Sequence, residues 1–309
     1  MKILNFLILF SVSVNHLFAS TQPETKQESQ KIVLVLGSGG SRGLAHVGVI
    51  EELEKLGIVP DAIVGCSSGA IVGALYAQHR DIAKVKEILI DLTQDDLVDF
   101  SLFQQYAIST REKLEKFLQE NLTATDFSDL QIPFVAVATD LHKGEPVYLQ
   151  EGDLHAAILA SAALPGLFPP YPMGESVYID GGVCDPLPVQ FARTWRDGIL
   201  IASDISPSLD GFDTENVLQV IRKSFEVAYQ RLAYISQQET DILLEMDFAD
   251  IDSPINDSVN SKIYEEGKRS VRDYSEEIIQ KIITEREKSP ECMSLPILPD
   301  QSTIQNPFS

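Results

Sequence analysis

Apolar runs and helix-period stripes take turns along the first half of the chain. Lys31 to Leu36, KIVLVL, is a β-branched run of the kind that fills a strand buried on both faces. A glycine-rich turn follows, GSGGSRG from Gly37 to Gly43. Leu44, Val47, Ile50, Leu53 and Leu56 then recur at helical spacing, and Gly57 supplies a stop. Asp61 to Gly65 reads as a second strand and Ser68 to Gln78 as a second helix. Strand and helix alternating through short turns predict a parallel sheet with helices on its faces.

Further along, Asp81–Leu97 and Arg111–Asn121 carry helical patterns, and Pro133–Thr139 and Pro146–Leu149 read as strands. Asp153–Ser161 predicts a helix, and ALPGLFPPYP after it a rigid proline-rich loop. Val177–Ile179 is a short strand running into DGG, and Gly198–Ala202 is another apolar strand. Glu215–Gln238 predicts a long helix, Ile242–Glu245 an edge strand, and Lys262–Lys288 a charged final helix. With no internal repeat and no linker, the expectation is one catalytic domain over 31–289, with its core motifs in 31–206, a helical part over 213–288, and a loose tail at 290–309.

Composition narrows the functional classes. The formal net charge of −22 lacks the basic footprint that a phosphate backbone requires, so nucleic acid is excluded as a partner. Tight electrostatic docking on anionic lipid would need a local basic patch. Residues 1–20, MKILNFLILFSVSVNHLFAS, have a lysine, an apolar run from Ile3 to Val14 and then small residues, which is the layout of a secretory signal peptide. That run is short for a membrane span, although Leu17 or Phe18 stands where a small residue is preferred before cleavage, so an uncleaved anchor is the rival. The reading predicts export to periplasm, outer membrane or medium, with 21–30 as a polar spacer. Three cysteines, Cys66, Cys184 and Cys292, do not make a disulfide framework, and no Cys/His pair has zinc-ligand spacing, so neither metal nor cofactor is expected.

The candidate chemistry starts at Gly65-Cys66-Ser67-Ser68-Gly69, which fits G-x-S-x-G where a predicted strand meets a predicted helix. A turn that sharp exposes the central hydroxyl, needs glycine on both sides, and places Ser67 at a helix N-terminus that favours developing negative charge. The GSGGSRG turn has three readings. No Gly-Lys-Ser/Thr ends it, which removes a phosphate loop, and neither frame gives G-x-G-x-x-G, which removes a dinucleotide fingerprint. An oxyanion hole built from the amides around Gly39 and Gly40 is left. The proton acceptor is less legible. No histidine follows His155, so a Ser67, Asp140, His155 order is formally possible, while His46 and His155 both fit structural roles. Asp180, where the strand YID meets two glycines, is the alternative base.

GSGGSRGLAHVGVIEELEKLGI, GCSSGAIVGALYA and DGG, in that order, resemble the patatin-like phospholipase family over roughly Lys31 to Ser206. The resemblance implies a three-layer α/β/α fold around a mostly parallel sheet, and a metal-free Ser-Asp dyad that cleaves fatty-acyl esters of lipids. It assigns Ser67 as nucleophile, Asp180 as proton acceptor, and Gly39, Gly40, Ser41 and Arg42 as the oxyanion loop. Gly37, Gly43, Gly65, Gly69, Gly181 and Gly182 fall on the motif glycines. One position departs: Ser38 stands where the family commonly has glycine. SAALPGLFPPY resembles the stretch that leads to the aspartate and is expected to wall the acyl pocket. Transacylation, a His155-dependent esterase, and a catalytically silent lipid-binding protein are the competing expectations.

Overall fold

Five of the apolar runs lie side by side and parallel in one sheet. The computed structural model describes residues 31–100, 106–206, 209, 217–248 and 257–288; the expected signal peptide, spacer and tail, and with them Cys292, lie outside the described residues. β1 (Ile32–Leu36) passes through a 3-10 turn at Gly40–Gly43 into α1 (Leu44–Lys55). β2 (Ala62–Cys66) runs directly into α2 (Ser68–His79). The single helix expected over Asp81–Leu97 is two, α3 (Ile82–Leu89) and α4 (Gln94–Leu97). The break is local chemistry: the Asp96 carboxylate accepts from the Thr93 amide at 2.9 Å and starts a new helix there.

A two-strand ribbon of β3 (Asp99–Phe100) and β4 (Ser109–Thr110) precedes α5 (Glu112–Asn121). β5 (Phe134–Asp140), β6 (Glu145–Leu149) and α6 (Leu154–Ser161) follow, the last capped by the Asp153 carboxylate. The proline-rich loop ends in a short edge strand, β7 (Tyr171–Met173), paired with β8 (Ser176–Asp180). α7 (Val189–Trp195), which periodicity did not predict, leads to β9 (Ile199–Asp204). α8 (Val217–Gln237), β10 (Ile242–Glu245), α9 (Asp257–Asp273) and α10 (Ser275–Lys288) complete the described chain. The final charged helix is thus split at Tyr274, where the Ser275 hydroxyl donates to the Arg272 carbonyl.

The parallel strands stand in the order β10-β9-β1-β2-β5. Alternate residues of β1 feed two cores: Ile32, Leu34 and Leu36 pack with α1, α2, α3, α5, α6 and the C-terminal helices, whereas Val33 and Val35 pack with α7 and α8. The result is the expected three-layer α/β/α arrangement. At the far end the sheet turns antiparallel. β6 covers one edge of β5, pairing Tyr148 with Val137 and Val147 with Ala138. The other edge is shared: Cys66 at the end of β2 faces Val137, and Asp180 at the end of β8 faces Ala138. β2 and β8 therefore meet head-on along β5, and their last residues are neighbours.

α1 and α9 cross closely, and glycines permit it. A Cβ on Gly48 would stand 2.2 Å from the Tyr264 carbonyl oxygen, and one on Gly267 would stand 1.9 Å from that of Ala45.

Candidate active site

The head-on meeting of β2 and β8 puts Ser67 beside Asp180. Ser67 closes β2 with φ 55° and ψ −118°, a left-handed conformation that a residue with a Cβ adopts only under strain. The bend needs both flanking glycines: a Cβ on Gly65 would stand 2.5 Å from the Gly69 carbonyl oxygen, and one on Gly69 2.2 Å from that of Leu36. Two further bonds hold the elbow. The Ser67 amide donates to Ser161 Oγ at 2.9 Å, and that hydroxyl donates to the Val137 carbonyl at 2.6 Å. The side chain then projects over the N-terminus of α2, and Ser67 Oγ donates to Asp180 Oδ2 at 2.5 Å.

Asp180 is fully buried. Its amide donates to the Ala163 carbonyl at 3.0 Å, and its carbonyl accepts from Thr139 Oγ1 at 3.0 Å, which pins the backbone from α6 and β5. Oδ1 accepts from the Gly182 amide at 2.8 Å and faces Tyr229 Oη at 3.5 Å. Burial pushes the carboxyl up from 3.8 to about 6, against the pull of the Ser67, Gly182 and Tyr229 donors. A carboxylate that titrates there is ionised at neutral pH and basic enough to take a proton in passing. Gly181 is required at the exit, because a Cβ would stand 2.2 Å from the Val137 carbonyl oxygen.

The glycine turn after β1 lies against the same helix terminus, with Gly43 packed on Ser68, where a Cβ would come within 2.7 Å of the serine Cβ. Gly40 has φ +59°, which glycine accepts freely. Among the described residues nothing accepts a hydrogen bond from the Gly39 or Gly40 amides. Ser68 Oγ is buried and likewise without a partner among the described residues. Ser41 is exposed on the rim of the turn. Arg42 is spent on scaffolding: its amide donates to the Gly39 carbonyl at 3.3 Å and its Nε to the Ile205 carbonyl at 2.9 Å. Gly37 is anchored from both sides, with its amide on the Ser203 carbonyl and its own carbonyl on His46 Nε2 at 2.9 Å.

The histidines take other work. His46 Nε2–H donates to Gly37, so Nδ1 accepts from Ser203 Oγ at 2.8 Å; burial lowers its pKa to about 4 and keeps the ring neutral. His155 Nε2 bonds the Leu122 carbonyl at 2.9 Å and borders a cleft with Asp153 and Tyr171 that excludes Ser67. Asp140 accepts from the amides of His142 and Lys143 in its own turn. The Ser67, Asp140, His155 order is therefore not assembled. Cys66 and Cys184 are free thiols. Among the described residues no three His, Cys, Asp or Glu side chains group as a metal site, and no helix is long and apolar enough to cross a membrane.

A family model described as patatin-like phospholipase matches residues 34–193, more than half of the chain. The chain belongs to the patatin-like phospholipase family. Its curated relatives include an uncharacterized NTE family protein of Mycobacterium bovis, 39% identical over 163 residues that cover 52% of this chain and 45% of that protein. Lysophospholipase NTE1 of Cryptococcus neoformans is 33% identical over 222 residues, 65% of this chain and 13% of that protein. The matched stretch thus spans less than half the length of these relatives. Among solved structures, VipD from Legionella pneumophila is similar in fold, with a TM-score of 0.52 at 14% identity over 83% of this chain and 67% of that one.

Within this patatin-like domain, three groups near the pair escape sequence reading. Ser161 sits in an unremarkable small-residue helix, LHAAILAS, with no local mark of its bond to the elbow. Tyr229 comes from α8, beyond the matched 34–193 stretch. The Ser38 hydroxyl is legible only as a departure from glycine.

Proposed function

We propose that this protein is a serine lipid acyl hydrolase acting on phospholipids or lysophospholipids. Ser67 Oγ attacks the ester carbonyl while Asp180 takes its proton, and the amides of Gly39 and Gly40 hold the oxyanion at the N-terminus of α2. The proton passes from Asp180 to the leaving alcohol, and water, deprotonated by the same carboxylate, then releases the fatty acid from Ser67. The observation that carries this reading is the 2.5 Å bond from Ser67 Oγ to a buried Asp180, made by a serine in a strained elbow. Family membership supports the lipid ester as substrate, and the name of the Cryptococcus relative supports testing a lysophospholipid first. The placement of His155 and Asp140 speaks for the aspartate over a histidine base.

The test is release of free fatty acid from phosphatidylcholine and from its lyso form, with a chelator present throughout, by wild type, Ser67→Ala and Asp180→Asn. Turnover by wild type that both substitutions abolish is the expected result. Turnover surviving Asp180→Asn would overturn the assigned base. No turnover on either lipid, with no labelling of Ser67 by a fluorophosphonate, would favour the silent lipid-binding alternative. Supplying an acceptor alcohol separates hydrolysis from transacylation by the appearance of a new ester. Export rests on residues 1–20 alone and is checked by fractionating cells that express the full chain.

A further inference from the structure

Asp180 has a third donor that comes from outside the motif-bearing part of the chain. Tyr229 on α8 is 9% exposed, and its hydroxyl reaches Asp180 Oδ1 at 3.5 Å. The phenol also sits on Gly182: a Cβ there would stand 2.7 Å from Tyr229 Cε2, Cζ and Oη. The second glycine of DGG therefore serves the tyrosine as well as the turn.

We propose that Tyr229 is a positioning residue for Asp180: the phenol donates to Asp180 Oδ1. The contact turns Oδ2 toward Ser67 and stabilises the ionised carboxylate. The assignment rests on reading Asp180 as the base. A phenol suits the task, because burial pushes its own pKa far up and it stays a donor throughout the working range.

The other groups around Asp180 leave this bond as the variable. Cys66 on β2 is a neutral thiol, pushed well above its ordinary range by burial. Beyond it Asp185, pushed up to about 6 by burial, is engaged by Tyr148 Oη at 2.9 Å. Thr139 and Ala138 on β5 and Ala163 after α6 carry no charge.

The experiment is a carboxyl-carbon NMR titration of protein labelled with 13C-aspartate, with the Asp180 resonance assigned by its loss in Asp180→Asn. Tyr229→Phe removes one oxygen and keeps the ring. A well-aligned bond to a charged group shifts a pKa by roughly 1–2, and at the observed length about half of that is expected. The Asp180 midpoint should therefore rise by about 0.5–1 pH in Tyr229→Phe. The acidic limb of kcat/KM on a soluble p-nitrophenyl ester should move with it. An unmoved midpoint in a folded Tyr229→Phe would overturn the proposal, even if thermal stability had dropped. Should that variant fail to fold, the wild-type sequence carrying 3-fluorotyrosine, whose phenol is the stronger donor, is titrated instead, and an Asp180 midpoint that does not fall would do the same. The titration needs no turnover, so an inactive wild type counts against the hydrolase reading and leaves this result standing.

Discussion

Replacing Asp180 by asparagine should abolish activity and stabilise the fold. The carboxyl titrates near 6 in the folded protein and near 3.8 when free, because burial outweighs its three donors. A difference of about two pH units at about 1.4 kcal/mol each makes the ionised side chain about 3 kcal/mol unfavourable above neutrality. A carboxyl that binds its proton more tightly folded than unfolded adds stability below about pH 4 and loses that contribution as the pH rises through about 6. Asparagine keeps the shape and has no charge to bury. The gain for Asp180→Asn is therefore about 3 kcal/mol at pH 8, about half that at pH 5, and about 0.5 kcal/mol at pH 4. Urea unfolding followed by circular dichroism at the three pH values measures it. Asp185 titrates in both proteins and cancels. A gain that does not vary with pH, or a weaker Asn variant at pH 8, would show that the Ser67, Gly182 and Tyr229 donors outweigh burial, and the argument would fail.

Wild-type kcat/KM on a soluble ester should fall about tenfold per pH unit below about pH 6, as Asp180 takes up its proton; a flat profile from pH 5 to 8 would remove it as the base. Gly39→Ala should cut kcat by about 10²-fold with little loss of fold, because the new Cβ would stand 2.5 Å from the Ile205 side chain and 2.7 Å from its carbonyl oxygen, forcing the amide out of line. Gly267→Ala should cost about 1–3 kcal/mol in chemical denaturation by separating α9 from α1, with kcat unchanged for the folded fraction.

The parallel core was readable because β1, β2 and the Ile199–Ala202 part of β9 are buried and carry apolar or small residues on both faces. The elbow was readable because Gly65 is demanded by Gly69 and Ala70 a few residues on, and Gly69 completes a recognisable local spacing although the backbone it packs on is that of Leu36. The interruptions were harder. Thr93 and Asp96 break a helix that periodicity runs through, and Ser275 does the same between α9 and α10, since caps are single-residue events inside an otherwise regular pattern. Asp180 was readable only through the resemblance, because a strand ending in Asp-Gly-Gly is also an ordinary turn. Tyr229 lies 49 residues from Asp180 in sequence, and Ser161 lies 94 from Ser67. Nothing local marks either, because each gains its role from packing and not from its neighbours.

The shared edge of β5 makes that strand a ruler. Ser67 and Asp180 are 113 residues apart in sequence, yet their spacing is set by one backbone step, from Val137 to Ala138, of about 3.4 Å. Everything the chain does between those two residues and β5 is excluded from that measurement. The loops between them can lengthen or shorten while the distance between Ser67 and Asp180 stays in register. A single residue inserted into β5 between Val137 and Ala138 would instead part them by a full step. The sensitive position is thus a pair of apolar residues, Val137 and Ala138, on a strand that contains neither Ser67 nor Asp180.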